Sequence, residues 1–85
     1  MKLQVYSIYD SKIKAYAQPF FMQSKGQCIR ALTDSLLDEK SQHAKHPEDY
    51  TLFELAEFDD VQGKFIPHET PISVGVLVEF MPSKD

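Results

Sequence analysis

Aromatic and basic side chains alternate near the start of the chain, and they are the residues best suited to bind a charged ligand. Tyr9 and Tyr16 flank Lys12 and Lys14, which stand in a polar segment. Proteins that bind single-stranded nucleic acid stack bases on aromatic rings and follow the phosphates with cations. The pattern predicts that these four residues contribute to a single-stranded DNA contact surface.

Two further basic residues extend this predicted surface into a helix. Lys25 and Arg30 fall on polar helical positions, where each would contact a phosphate. Arg30 has an alternative partner in Asp34, because residues four apart are neighbours on a helix. Phe20 and Phe21 are predicted to be core residues instead, since a small domain without Trp needs large apolar side chains inside.

Two pairs of acidic residues form a second candidate site, which would bind a basic partner protein. Glu48 and Asp49 follow a proline, and Asp59 and Asp60 precede Gly63. Carboxylates in such segments commonly close turns through backbone N–H groups, so a purely structural role is the alternative.

Metal binding and catalysis find little support in the sequence. His43 and His46 would converge only on a helix, which Pro47 disfavours. Cys28 is the only cysteine and falls on the apolar stripe of a helix, so it is predicted to be buried. The sequence has no phosphate-binding glycine loop, paired-cysteine motif or serine elbow. We therefore expect no metal, no cofactor and no enzymatic activity.

The elements that position these residues follow from composition and periodicity. Segment 3–9 is typical of a strand, 11–18 of a loop or hairpin turn, and 24–37 of a helix that begins at a capping box. Segment 40–49 is predicted to be a loop, 50–58 a strand, and 64–66 a short strand that Pro67 ends or confines to an edge. Segment 72–80 alternates like a strand, although Pro71 also permits a helix start. The fold class predicted is α+β: a small, mostly antiparallel sheet with one main helix on one face.

Size and charge limit the possibilities further. Eighty-five residues correspond to a single domain, 1–85, in which 82–85 are predicted to be a mobile tail. No segment has the length and apolarity of a membrane span, and one cysteine excludes an intramolecular disulfide, which suits a reducing cytoplasm. Residues 1–46 carry seven basic and four acidic side chains, a net charge of +3, whereas 47–85 carry two and nine, a net charge of −7. The DNA hypothesis requires the basic side chains of the first part to gather in space, away from the acidic side chains of the second.

Four short strings resemble a known phage family in order and spacing. They are Tyr6-Ser7-Ile8-Tyr9-Asp10, Pro19-Phe20-Phe21, His46-Pro47-Glu48-Asp49-Tyr50 and Phe58-Asp59-Asp60-Val61-Gln62-Gly63-Lys64. Over roughly residues 2–66 the chain resembles the small nonstructural protein of gokushoviruses, single-stranded-DNA phages of the microvirus group.

The resemblance implies a non-enzymatic accessory role in single-stranded DNA synthesis or packaging, in the cytoplasm of the infected bacterium. The alternative is an adaptor that binds a phage or host protein through the acidic C-terminal half. Homodimerisation through an uncovered strand edge or through segment 72–80 is compatible with either role.

Overall fold

The computed structural model describes residues 1–81 and contains one antiparallel sheet, one main helix and several short helical turns. The strands are β1 (Lys2–Asp10), β2 (Ala15–Tyr16), β3 (Phe20–Met22), β4 (Tyr50–Asp59) and β5 (Lys64–Val76). The helices are α1 (Lys25–Ser35) and α2 (Gln42–Lys45), and 3₁₀ turns span Pro47–Asp49 and Leu77–Phe80. The predicted α+β class with a mostly antiparallel sheet is confirmed.

Strand β1 lies inside the sheet and organises it. One edge of β1 pairs with β4 along the whole strand. The other edge pairs with β3 near the start of β1 and with β2 near its end. Strand β5 pairs with β4 and forms the far edge, so the order is β2-β1-β4-β5. Register shifts in β4 and β5 mark bulges, which increase the local twist of a sheet.

Helix α1 covers one face of the sheet, as predicted, and its start follows from local chemistry. Ser24 has extended backbone geometry and its hydroxyl accepts a hydrogen bond from the Gln27 N–H at 3.1 Å. The Gln27 side chain in turn accepts from the Gln23 N–H at 2.8 Å. These bonds satisfy donors that the first helical turn leaves free.

The core lies between α1 and the sheet. Its buried members come from β1, α1, the segment after α1, β4 and the C-terminal 3₁₀ turn: Tyr6, Ile8, Cys28, Leu32, Leu36, Leu52 and Leu77. Phe20 packs against this cluster, as expected, but Phe21 is 44% exposed, which corrects its assignment to the core. The two residues differ because successive side chains of a strand point to opposite faces.

The predicted loop 40–49 contains more structure than expected. Ser41 caps α2 by accepting a hydrogen bond from the Ala44 N–H at 3.1 Å, and Pro47 begins a 3₁₀ turn. Proline is compatible with the first position of such a turn because its missing N–H would be unsatisfied there. The loop prediction was therefore wrong for these residues.

The C-terminal part departs from the prediction in another way. One strand runs through Pro67 to Val76, and a 3₁₀ turn replaces the expected strand from Leu77 to Phe80. Strand β5 tolerates Pro67 because it lies at the edge of the sheet, as the edge alternative predicted. The predicted tail 82–85 lies outside the described residues. Within 1–81, no helix has the length and apolarity needed to cross a membrane.

Candidate functional site: the uncovered aromatic face

The face of the sheet opposite α1 is aromatic and carries no charged residue at its paired positions. Because side chains alternate along a strand and paired residues share a face, the pairing of β1 assigns every paired position to a face. The face opposite α1, here called the aromatic face, contains Leu3, Val5, Ser7, Tyr9, Tyr16, Phe21, Thr51, Phe53, Ala56, Phe58, Phe65, Pro67, Ser73 and Val76. All charged residues at paired positions lie on the α1 side: Lys2, Asp10, Glu54, Glu57, Asp59 and Lys64.

This arrangement reverses the usual one for a one-layer antiparallel sheet, whose exposed face is normally polar. No helix or strand among residues 1–81 covers the aromatic face, yet Val5 and Ala56 are only 4% and 7% exposed. Exposed apolar patches of this kind are candidate interaction sites.

One end of the aromatic face carries Tyr9, Tyr16 and Phe53, here called the tyrosine cluster. The centroids of Tyr9 and Tyr16 lie 4.9 Å apart, and Phe53 meets their rings edge-on at 6.2 and 5.6 Å. Tyr16 is 43% exposed, so the cluster presents ring surface to solvent. The structure thus brings the two predicted tyrosines together, and the strand register adds Phe53.

The lysine turn, residues 11–14, lies directly beside the tyrosine cluster because it joins β1 to β2. Ser11 fixes the turn through its N–H and its hydroxyl, which both donate to the Asp49 carbonyl at 3.0 and 2.9 Å. Lys14 has a φ of 56°, a left-handed geometry that closes the hairpin. The hairpin therefore places the turn that carries Lys12 and Lys14 next to the paired strands of Tyr9 and Tyr16.

A carboxylate partly neutralises this turn. The Lys12 ammonium lies 3.9 Å from the Asp49 carboxylate, although the lysine side chain is still largely exposed. Such an exposed ion pair contributes little to stability, and it competes with any phosphate for Lys12.

Lys25 and Arg30 do not join this surface. Both are exposed on α1, which packs on the opposite side of the sheet through Cys28 and Leu32. The predicted six-residue surface is therefore split between two faces.

The other end of the aromatic face carries Phe21, Phe58 and Phe65, here called the phenylalanine cluster. Phe58 contacts the other two rings with centroid distances of 5.6 and 4.8 Å. Phe65 is 59% exposed. Sequence reasoning missed this cluster, because the three residues come from β3, β4 and β5 and meet only through the strand register. The alternation of Leu3, Val5, Ser7 and Tyr9 in β1 was the available signal.

The four predicted acidic residues do not form one surface. Glu48 and Asp49 precede β4, whereas Asp59 is its last residue and Asp60 follows it, about 30 Å away along a ten-residue strand. Asp59 accepts hydrogen bonds from the N–H groups of Val61 and Gln62 at 3.0 and 3.2 Å. The Gln62 and Val61 bonds lower the pKa of the Asp59 carboxyl.

Asp60 has a structural partner as well, since its carboxylate lies 2.9 Å from the N-terminal ammonium. The turn ends at Gly63, whose φ of 68° confirms the predicted left-handed conformation. In this hairpin Asp59 and Asp60 therefore make the structural contacts that the alternative interpretation predicted.

The two histidines of segment 40–49 have different neighbours. The His43 ring packs edge-on against Tyr50 at 4.6 Å. His46, Glu48 and Asp49 bring possible ligand atoms within 4.8 Å of one another, but His46 and Glu48 are exposed and Asp49 faces Lys12. We assign no metal site to this cluster.

Cys28, Glu54 and His68 form a small set of polar side chains on the α1 side of the sheet. Burial, followed by the charge of Glu54, raises the pKa of the Cys28 thiol to about 11, so the thiol is protonated at neutral pH and is not an activated nucleophile. Glu54 also bonds His68 at 2.7 Å. A cavity of about 290 Å³ borders Cys28, and its other lining residues are Ile8, Phe20, Ala31, Leu32, Ser35 and His43.

The fold defines a small α+β protein whose aromatic face is the candidate interaction surface. Comparison with known families identifies it further, because the family described as Phage ORF5 protein matches residues 3–80. The chain belongs to the Phage ORF5 protein family and is a bacteriophage protein. No curated protein and no solved structure matches it.

Proposed function

We propose that this protein is a non-enzymatic accessory factor of a gokushovirus-type phage, and that it binds single-stranded DNA weakly during DNA synthesis or packaging in the cytoplasm of the infected bacterium. The observation that carries the proposal is the tyrosine cluster beside the lysine turn. The phage family supports the setting, and the geometry of the cluster supports the ligand.

The tyrosine cluster suits unpaired bases rather than a duplex. Tyr9 and Tyr16 are held in place by the β1–β2 pairing and present ring surface at one end of the sheet. Every base has a π-face, so stacking on such rings tolerates sequence variation, and it contributes about 1–3 kcal/mol per base. In a duplex those base faces are already occupied by neighbouring base pairs.

The lysine turn supplies the phosphate contacts. Lys12 and Lys14 belong to the turn that joins the strands of Tyr9 and Tyr16, so a strand stacked on the tyrosines would pass its backbone near them. Two cations, one of them shared with Asp49, give only modest electrostatic attraction in a chain of net charge −4. The binding is accordingly weak and sensitive to salt.

The decisive experiment compares two double variants that make the same change in charge. Lys12→Glu with Lys14→Glu alters the lysine turn, and Lys25→Glu with Arg30→Glu alters α1 on the other face. Fluorescence anisotropy with a labelled oligothymidine at low salt should show at least a tenfold loss of affinity for the first variant and little change for the second. Equal losses, or no binding by the parent protein, would reject the proposal.

Two further variants test the remaining parts of the site. Tyr16→Ala should weaken binding by roughly fivefold or more, since it removes one stacking ring. Asp49→Asn should strengthen binding by about twofold to fivefold, because it frees Lys12, with Asp34→Asn on α1 as the matched control. A loss of affinity in Asp49→Asn would contradict the role given to Lys12.

A further inference from the structure

The phenylalanine cluster has the composition of a protein interface rather than of a nucleic-acid site. The aromatic face has no charged residue at any paired position, whereas sites that bind nucleic acid need cations near the rings. The cores of protein interfaces are enriched in Phe and Tyr and depleted of charge. The proposed DNA contacts at the tyrosine cluster do not use this end of the face.

Charges at the end of the phenylalanine cluster argue against a polyanion there. Asp60, in the adjoining hairpin, pairs with the N-terminal ammonium at 2.9 Å, so among the described residues this end carries both signs of charge and no free cation cluster. Lys2, Asp59 and Lys64 face the α1 side of the sheet, away from the cluster. A rim that contains both signs of charge can meet a second copy of itself without a net repulsion.

Burial points in the same direction. Val5 and Ala56 are core residues by exposure, whereas Phe21 and Phe65 on the same face are still 44% and 59% exposed. Interfaces between identical subunits resemble a domain core that has been divided in two. A small domain gains most from completing such a core with a second copy.

We infer that two copies of this chain associate through their phenylalanine clusters, face to face around a two-fold axis. Phe21, Phe58 and Phe65 of one copy pack on those of its partner, and the two tyrosine clusters point away from the axis in opposite directions. Each copy keeps its lysine turn free for DNA.

The edge of the sheet is a poorer alternative for this contact. Strand β5 is the exposed edge, but Pro67 and Pro71 each lack the N–H that a strand added there would need. Prolines at an edge are a common protection against strand addition. The face therefore remains the better candidate.

The size of the patch predicts a reversible dimer. Half of a four-stranded face measures about 19 by 15 Å, which lies below the roughly 800 Å² per partner of a standard interface. A contact of this size corresponds to dissociation at micromolar or higher concentrations rather than to a permanent dimer.

Sedimentation equilibrium between about 10 μM and about 1 mM tests the inference over the range expected for such an interface. The mass of the parent protein should rise from 9.8 kDa towards twice that value. Phe65→Lys should weaken self-association at least tenfold, and Phe21→Lys should do the same.

The matched control is Ile72→Lys, which lies on the same strand, is 49% exposed and faces the α1 side of the sheet. It should dimerise like the parent protein, and circular dichroism should show that every variant is folded. A mass of 9.8 kDa at all concentrations, or a dimer equally insensitive to Phe65→Lys and Ile72→Lys, would overturn the inference. Oligothymidine binding measured below the dimer dissociation constant should be unchanged in Phe65→Lys, which separates this test from that of the DNA site.

Discussion

At the scale of single residues, Tyr6 and Tyr9 show how position decides the role of a side chain. They are three residues apart in β1 and therefore point to opposite faces. Tyr9 joins the tyrosine cluster, whereas Tyr6 is completely buried under α1. Only Tyr9 is therefore available to a ligand.

The Tyr6 hydroxyl is buried without a hydrogen-bond partner of acceptable geometry among the described residues. Its burial, together with the nearby Glu54 carboxylate, raises the pKa of the phenol, so the hydroxyl remains protonated throughout the physiological range. A buried polar group with no partner costs roughly 1–3 kcal/mol. This side chain should therefore limit the stability of the domain.

We predict that Tyr6→Phe raises the free energy of unfolding by about 1 kcal/mol, because it removes this unsatisfied group and leaves the packing intact. Urea denaturation at pH 7 measures the change. Tyr9→Phe, whose hydroxyl is on the half-exposed side, should leave stability within about 0.5 kcal/mol of the parent value. A clear loss of stability in Tyr6→Phe would mean that the hydroxyl bonds Glu54 after all.

At the scale of elements, β5 depends on its bulges and on Gly75. The register with β4 shifts next to this glycine, whose φ of 157° disfavours other residues. A Cβ there would lie 3.0 Å from the Phe80 ring and would also collide with the Glu79 carboxylate. That carboxylate accepts a hydrogen bond from the Val76 N–H at 3.1 Å and so holds the following 3₁₀ turn in place.

We predict that Gly75→Ala lowers the free energy of unfolding by about 1–3 kcal/mol through backbone strain and displacement of the last turn. Gly26→Ala is the matched control, because its new methyl group would meet only Ser24 Oγ at 4.0 Å and alanine favours a helix. That variant should gain up to about 1 kcal/mol. Thermal denaturation of both proteins gives the comparison, and equal effects would contradict this account of β5.

At the scale of the whole molecule, the charge division of the sequence does not become a division in space. The pairing of β1 with β4 places the basic half beside the acidic half, so that Lys2 stands opposite Asp59 and Lys12 lies near Asp49. At these two places basic side chains of the first part of the chain therefore lie beside acidic side chains of the second. Of the predicted basic residues, Lys12 and Lys14 lie beside the aromatic face.

This mixing fixes the expected salt dependence of DNA binding. For a single strand, each phosphate neutralised contributes about −0.7 to the slope of log K against log salt concentration. Two lysines therefore predict a slope no steeper than about −1.4, and the net charge of −4 makes it shallower still. Anisotropy titrations between about 20 and 200 mM salt would measure it, and a slope near −4 would indicate that more cations than the lysine turn participate.

Local chemistry accounts for what the sequence predicted well. The capping serine of α1, the left-handed Gly63 and the first strand depend on residues near one another in the chain, and all three are present. The buried Cys28 follows from helical periodicity in the same way. The resemblance to a phage family was also visible in short sequence strings, and the family match confirms that this is a phage protein.

The sequence by itself determined the α+β class, the main helix and the association of Tyr9 and Tyr16 with the lysine turn, because a hairpin only 16 residues into the chain brings them together. Only the tertiary structure decided that Lys25 and Arg30 lie across the sheet, that the acidic pairs are far apart, and that three phenylalanines from separate strands meet. Those outcomes depend on strand order and register, in which a shift of one residue moves a side chain to the other face.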